Sequence, residues 1–197
     1  VLKLTSSSKP VDLAHLRTSG ELPLGMVKLD KVSVAAIAAL LEKSELKTTE
    51  FNLLKKGLAV ESATLLATIG TAKRIMLSGI KHDQTEADFR NQDLEDEGAI
   101  LIASDLRVSA VLDTITLDSS PLPVKQLKGT EPVEALNLSG RGLGFLSAIV
   151  IGNLIEFNTV LTELDVQGNW ALGDEGQKAL RDAAEGREGF ELLISED

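Results

Sequence analysis

The chain has 197 residues, 43% of them hydrophobic, and a formal net charge of −10, ample for one domain with a continuous core. It has no cysteine, which excludes disulfides and thiolate metal sites and favours an intracellular, cytoplasmic or organellar setting. The charge is uneven: residues 153–197 hold 11 acidic and 3 basic side chains, a net of −8, which leaves −2 for the rest. Such an acidic pole argues against nucleic acid and anionic membrane surfaces as partners.

In chain order, residues 1–21 read as a flexible lead, Leu4–Pro10, followed by a short capping helix carrying Val11, Leu13 and Leu16. The first residue is Val1, as expected of a trimmed, processed or partly sequenced product, and a removed targeting segment stays open. Apolar pairs of strand type then recur: Val27/Leu29, Phe51/Leu53 and Ile75/Leu77 at a step of 24. Between them, Val34, Ile37, Leu40 and Leu41, and then Ala59, Ala63, Leu66 and Ile69, fall at helical spacing.

Residues 81–92 are polar apart from Phe89 and read as an insertion, a surface loop or short helix. Phe89 either tucks back onto the core or is presented to a partner. The run Leu94-Glu95-Asp96-Glu97-Gly98 opens a helix, its acidic residues meeting the free N–H groups and the positive end of the helix dipole. Ile115/Leu117 follows as a further strand pair. Residues 119–130 form a short irregular unit, in which Pro121 and Pro123 forbid a regular helix. Leu122, Val124 and Leu127 then cover the core from an extended segment.

The C-terminal part is the most regular. Leu136/Leu138, Leu164/Val166 and Leu192/Ile194 recur at a step of 28, the last as a closing strand within 190–197. A helix starting at Phe145 ends before Asn158-Thr159. The stretch Asn158–Ala184 has the form L-x-x-L-x-L-x-x-N, with Leu161, Leu164, Val166 and Asn169, then Leu172-Gly173-Asp174-Glu175-Gly176 opening an amphipathic helix. Asn169 alone keeps the turn asparagine; its upstream equivalents are Val32, Lys56, Ile80, Ser120 and Arg141. One residue too many after Asn169 pushes Trp170, the single tryptophan, to a loop edge, either packed on the next turn or free to meet a partner.

The chemistry-bearing inventory is thin. His15 and His82 have no serine or cysteine arrangement that makes either a general base. His82, Asp83 and Glu86 lack metal-ligand spacing. Gly140-Arg141-Gly142-Leu143-Gly144 lacks the Lys-Ser/Thr of a phosphate loop and reads as the turn after Leu138. No apolar run approaches the roughly 20 residues of a membrane span. No catalytic residue, cofactor or metal is expected.

The pattern carried by Asn158-Thr159, Leu164-Asp165-Val166 and Leu172–Gly176 resembles the ribonuclease-inhibitor-like class of leucine-rich repeat proteins, from about Leu22 to the C-terminus, with the repeats over 22–190. The resemblance implies an α/β leucine-rich repeat solenoid across 1–197. Its architecture would be a right-handed β-α superhelix, with parallel strands on the concave face and helices on the convex face. Residues flanking the inward pairs then point outward. Met26, Leu54 and Met76 with Lys28 and Arg74 make one strip, and Glu163, Asp165 and Glu191 make another. These, with Phe89 and Trp170, are the candidate partner-binding residues. The function implied is non-enzymatic protein–protein interaction, as an accessory or scaffold subunit of a larger assembly. The partner would be a protein with a basic or amphipathic-helix surface. The alternative is a regulator of an enzyme, such as a GTPase-activating protein-like repeat protein, for which Arg74 and Arg141 are the candidate arginines.

Overall fold

In the C-terminal part, elements form where the apolar pairs and helix-opening runs place them. The computed structural model describes residues 3–5, 10–12, 28–43 and 49–195. The chain divides into two compact units, Val1–His82 with Asp96–Ala110, and Asp83–Glu95 with Val111–Asp197.

In the first unit, β1 (Lys3–Thr5) and β2 (Pro10–Asp12) pair antiparallel, Leu4 opposite Val11. This corrects two expectations: the lead is paired at Leu4–Thr5, and Val11 lies in a strand instead of a helix. Extended pairing suits the β-branched Val11. Leu13, Leu16 and Met26 lie outside the described residues.

Helix α1 (Lys31–Glu42) starts at Asp30, whose carboxylate accepts from the Ser33 N–H at 2.8 Å, an N-cap satisfying one orphan donor. It buries Val34, Ile37 and Leu41. Helix α2 (Val60–Lys73) buries Ala63, Leu66 and Ile69 and packs beside α3 (Asp96–Val108), which begins at the acidic pair Asp96-Glu97.

The step of 24 does not set the pairing here. Glu50 bridges Met76 in parallel fashion, two residues away from that register. The reason is local. Ile75, Met76, Leu77 and Ser78 are all buried, so this segment does not alternate in and out, and alternation fixes register only where one face is wet.

Among the described residues the second unit holds two small sheets. In the first, β3 (Glu86–Asp88) runs parallel to β4 (Thr114–Thr116), which pairs antiparallel with β5 (Pro121–Pro123). The expected insertion at 81–92 therefore supplies a repeat strand: Ala87 lies opposite Ile115, a step of 28. Val124 and Leu127 sit on a five-residue helix, α4 (Val124–Lys128), instead of an extended segment. The two prolines hold only β5 extended, and the chain is free to coil after them. Leu122, Val124 and Leu127 all lie in the core as expected.

The second sheet is wholly parallel, β6 (Ala135–Asn137), β7 (Glu163–Asp165) and β8 (Glu191–Leu193). Its register puts Leu136, Leu164 and Leu192 in one row, the step of 28 read from the sequence. Helix α5 (Phe145–Ile155) follows β6 and α6 (Gly173–Ala184) follows β7, and the two pack side by side.

Candidate interaction face

The β6–β8 face is fixed by side chains that bind the main chain of the neighbouring repeat. Asn169 is buried; its amide donates to Leu138 O at 2.9 Å and Val166 O at 2.8 Å, and its oxygen accepts from Leu143 N–H at 3.0 Å. One side chain thus satisfies three main-chain groups in two consecutive turns. Asn158 does the same at the other end of the strand. It donates to Gln126 O and Leu127 O and accepts from Val160 and Leu161 N–H. Arg187 lies over the Phe190 ring and donates to Asn158 O and Leu161 O, tying the next turn to this one. Replacing Asn169 by alanine is expected to cost the β6–β8 unit about 2–4 kcal/mol, since three buried groups lose their partner. Urea denaturation followed by far-UV circular dichroism measures it.

Asp118 takes the corresponding role one repeat earlier. Its Oδ2 accepts from Gly144 N–H (2.8 Å), Ser147 N–H (3.2 Å) and Ser147 Oγ (2.5 Å), holding the start of α5. Within this glycine-rich turn Gly140 N–H donates to Gln167 O, Leu143 N–H to Asn169 and Gly144 N–H to the Asp118 carboxylate, so these three donors are already engaged by the protein and not open to a phosphate. Gly140 and Gly142 have φ of 62° and 67°, which explains the glycines by turn geometry. Reading the sequence places Asp118 among the outward residues flanking Ile115/Leu117 and does not give it this capping role, although an aspartate directly after a strand pair is a usable signal.

A second device recurs on the outward positions. Asn52, Asp88, Asn137 and Asp165 each accept from the N–H two residues on, at Leu54, Arg90, Ser139 and Gln167. These Asx turns end β3, β6 and β7 and the bridged segment at Asn52. Asn137 also donates to Asp165 Oδ2 at 3.1 Å, a rung across the face. Asp88 is held well below the usual carboxylate range, at about 2, by hydrogen bonds from the Arg90 guanidinium and N–H.

The candidate residues separate by burial. Leu54 and Met76 are buried, so the apolar outward strip is corrected: the strand ends of the first unit have no wet face at these positions. Phe89 is buried too, as the inward partner of Ala87 in β3; of the two alternatives it takes the core. Lys28 is exposed. Arg74 is exposed, but it is the left-handed C-cap of α2, with φ of 56°, instead of a strand residue. Glu163 and Asp165 are half-buried and Glu191 is exposed, all on the outward side of the parallel sheet. Trp170 is 74% exposed, on a single 3-10 turn over Trp170–Leu172 that absorbs the extra residue. The structure thus gathers Glu163, Asp165 and Glu191 on adjacent strands, with Trp170 on the turn that follows β7.

Among the described residues no group of His, Cys, Asp and Glu is arranged to hold a metal ion, and no helix is long and apolar enough to cross a membrane. A leucine-rich repeat family model matches residues 157–180, from just after α5 through β7 into α6. Leucine-rich repeats generally mediate protein–protein interaction and are typically non-catalytic. No curated protein matches the chain.

Proposed function

We propose that the chain is a non-enzymatic protein-interaction module of the ribonuclease-inhibitor-like repeat class, serving as an accessory or scaffold subunit of a larger assembly. It docks its partner on the outward side of the repeat strands and along the loop edge beside them. The observation that carries this reading is Trp170, 74% exposed immediately after Asn169, which is hydrogen-bonded on both sides. A large ring held in water on an ordered turn loses little conformational freedom on binding, and tryptophan is enriched among hot spots. The half-buried and exposed carboxylates Glu163, Asp165 and Glu191 favour a basic partner surface by electrostatic complementarity. Lys28 and Arg74 remain candidate contacts in the first unit.

The test is native pull-down with quantitative mass spectrometry, comparing the wild-type chain with Trp170→Ala and with Glu163→Lys. Both variants are expected to melt within about 0.5 kcal/mol of wild type, as surface substitutions do. Each is expected to lose partners that the wild type recovers stoichiometrically. Equal recovery by all three chains would contradict the reading.

A further inference from the structure

Among the described residues the parallel sheet has two edge strands, β6 and β8, and the outer edge of β8 has the more distinctive surroundings. Glu191 N–H donates to Thr162 O at 2.7 Å, and Val166 N–H donates to Leu193 O at 2.8 Å. Glu191 and Leu193 therefore turn their main-chain groups toward β7, and Leu192 between them turns its N–H and C=O the other way. Among the described residues no strand pairs on that side. In the inward row Leu164 is fully buried, while Leu192, last in the row, is only half-buried. Beside it runs a groove of about 390 Å³ lined by Arg181, Asp182, Ala184, Glu185, Leu192 and Ile194.

Charge says what fits. Glu163 and Glu191 lie directly opposite each other in the register, and no cation pairs with either among the described residues. Like charges so placed are destabilising, and an opposite charge in the next strand relieves them. The net of −8 in residues 153–197 disfavours a second copy of the same edge.

We propose that the outer edge of β8 is a strand-addition site for an extended segment of a partner protein in which basic and apolar residues alternate. Its main chain bonds to Leu192. Its apolar side chains continue the row of Leu136, Leu164 and Leu192 into the groove, and its basic side chains stand beside Glu191 on the outward face. The period of 2 puts the two kinds of side chain on opposite faces. The proposal specifies the partner for part of the face described above, and so rests on the docking reading.

The probe is a labelled peptide, Lys-Leu-Lys-Ile-Lys-Val-Lys, set against the same composition rearranged to helical spacing. Binding is read by fluorescence anisotropy, and the edge by hydrogen exchange at the Leu192 amide. The alternating peptide is expected to bind and to slow that exchange at least tenfold, and Glu191→Lys to weaken binding at least tenfold. Equal binding of the rearranged peptide, or unchanged exchange at Leu192, overturns the proposal. So does a Leu192 amide already protected without peptide, which would place another part of the chain or a second copy on the edge. Peptide binding is measured on the isolated chain. A positive result there with no partner in native extracts refutes the docking reading alone, and the reverse refutes the edge alone.

Discussion

Replacing Leu164 by aspartate is expected to unfold the unit that contains β6, β7 and β8. Leu164 is fully buried, with Leu136 and Leu192 on either side in the register. Losing its side chain from the core costs about 2–5 kcal/mol. Burying an unpaired carboxylate between two leucines adds several more. A domain is stable by only about 5–15 kcal/mol in all, so the sum is of the size of the whole. Hydrogen exchange over residues 111–195 reads the outcome: protection is expected to collapse throughout that span. Leu164→Val, which keeps a branched apolar chain, is expected to cost about 1 kcal/mol and leave protection in place. Retained protection in the aspartate variant would mean that this row is not the core of the stack.

The second large effect is in the other unit. Asp105 of α3 is fully buried, and its carboxylate accepts from Leu77 N–H (2.7 Å), Ser78 N–H (2.7 Å) and Ser78 Oγ (2.6 Å). These donors pull the carboxyl toward ionisation, but burial prevails and pushes it up from 3.8 to about 7. A carboxyl whose folded value lies above its unfolded value holds its proton longer in the folded state. Its contribution to stability is complete below about pH 4 and is lost as pH rises through about 7. The melting temperature of this unit is therefore expected to fall between pH 4 and pH 7, with a slope of up to about 1.4 kcal/mol per pH unit from this group. Asp105→Asn is expected to flatten that slope. It is also expected to cost about 2–3 kcal/mol at low pH, because an amide NH₂ then faces a main-chain N–H and one donor goes unpaired. Calorimetric melts of both chains across this range check both parts.

Much of the second unit was legible because its signals are redundant. The step of 28 at Leu136, Leu164 and Leu192, the turn residue Asn169 and the acidic opening of α6 each point to the same register, and the strands pair in it. Strand β3 escaped because Ala87 stands where the other strands carry leucine or isoleucine, which makes 81–92 look polar. The signal was still present: Thr85-Glu86-Ala87-Asp88 matches Thr162-Glu163-Leu164-Asp165 at three of four positions. In the first unit alternation failed for a physical reason. Buried Asp105 caps Leu77 and Ser78 from α3, so the residues beside the inward pair are buried as well, and Met76 and Leu54 are core. An aspartate within the apolar run Leu101–Leu106 was a hint of this, since a buried carboxylate needs donors from elsewhere. The exposure of Trp170 and the outward strand placement of Glu163, Asp165 and Glu191 were readable from loop length and strand position. The apolar strip was not, because its exposure depended on an alternation that the first unit lacks.

Hydroxyl-radical footprinting of the chain, free and in its native complex, tests the proposed docking face most directly. Protection on binding is expected at Trp170 and Leu193, beside Glu163 and Glu191, with the exposed helix residues Val60 and Leu65 labelled equally in both states. Unchanged labelling of Trp170, with protection confined to the helices, would contradict it.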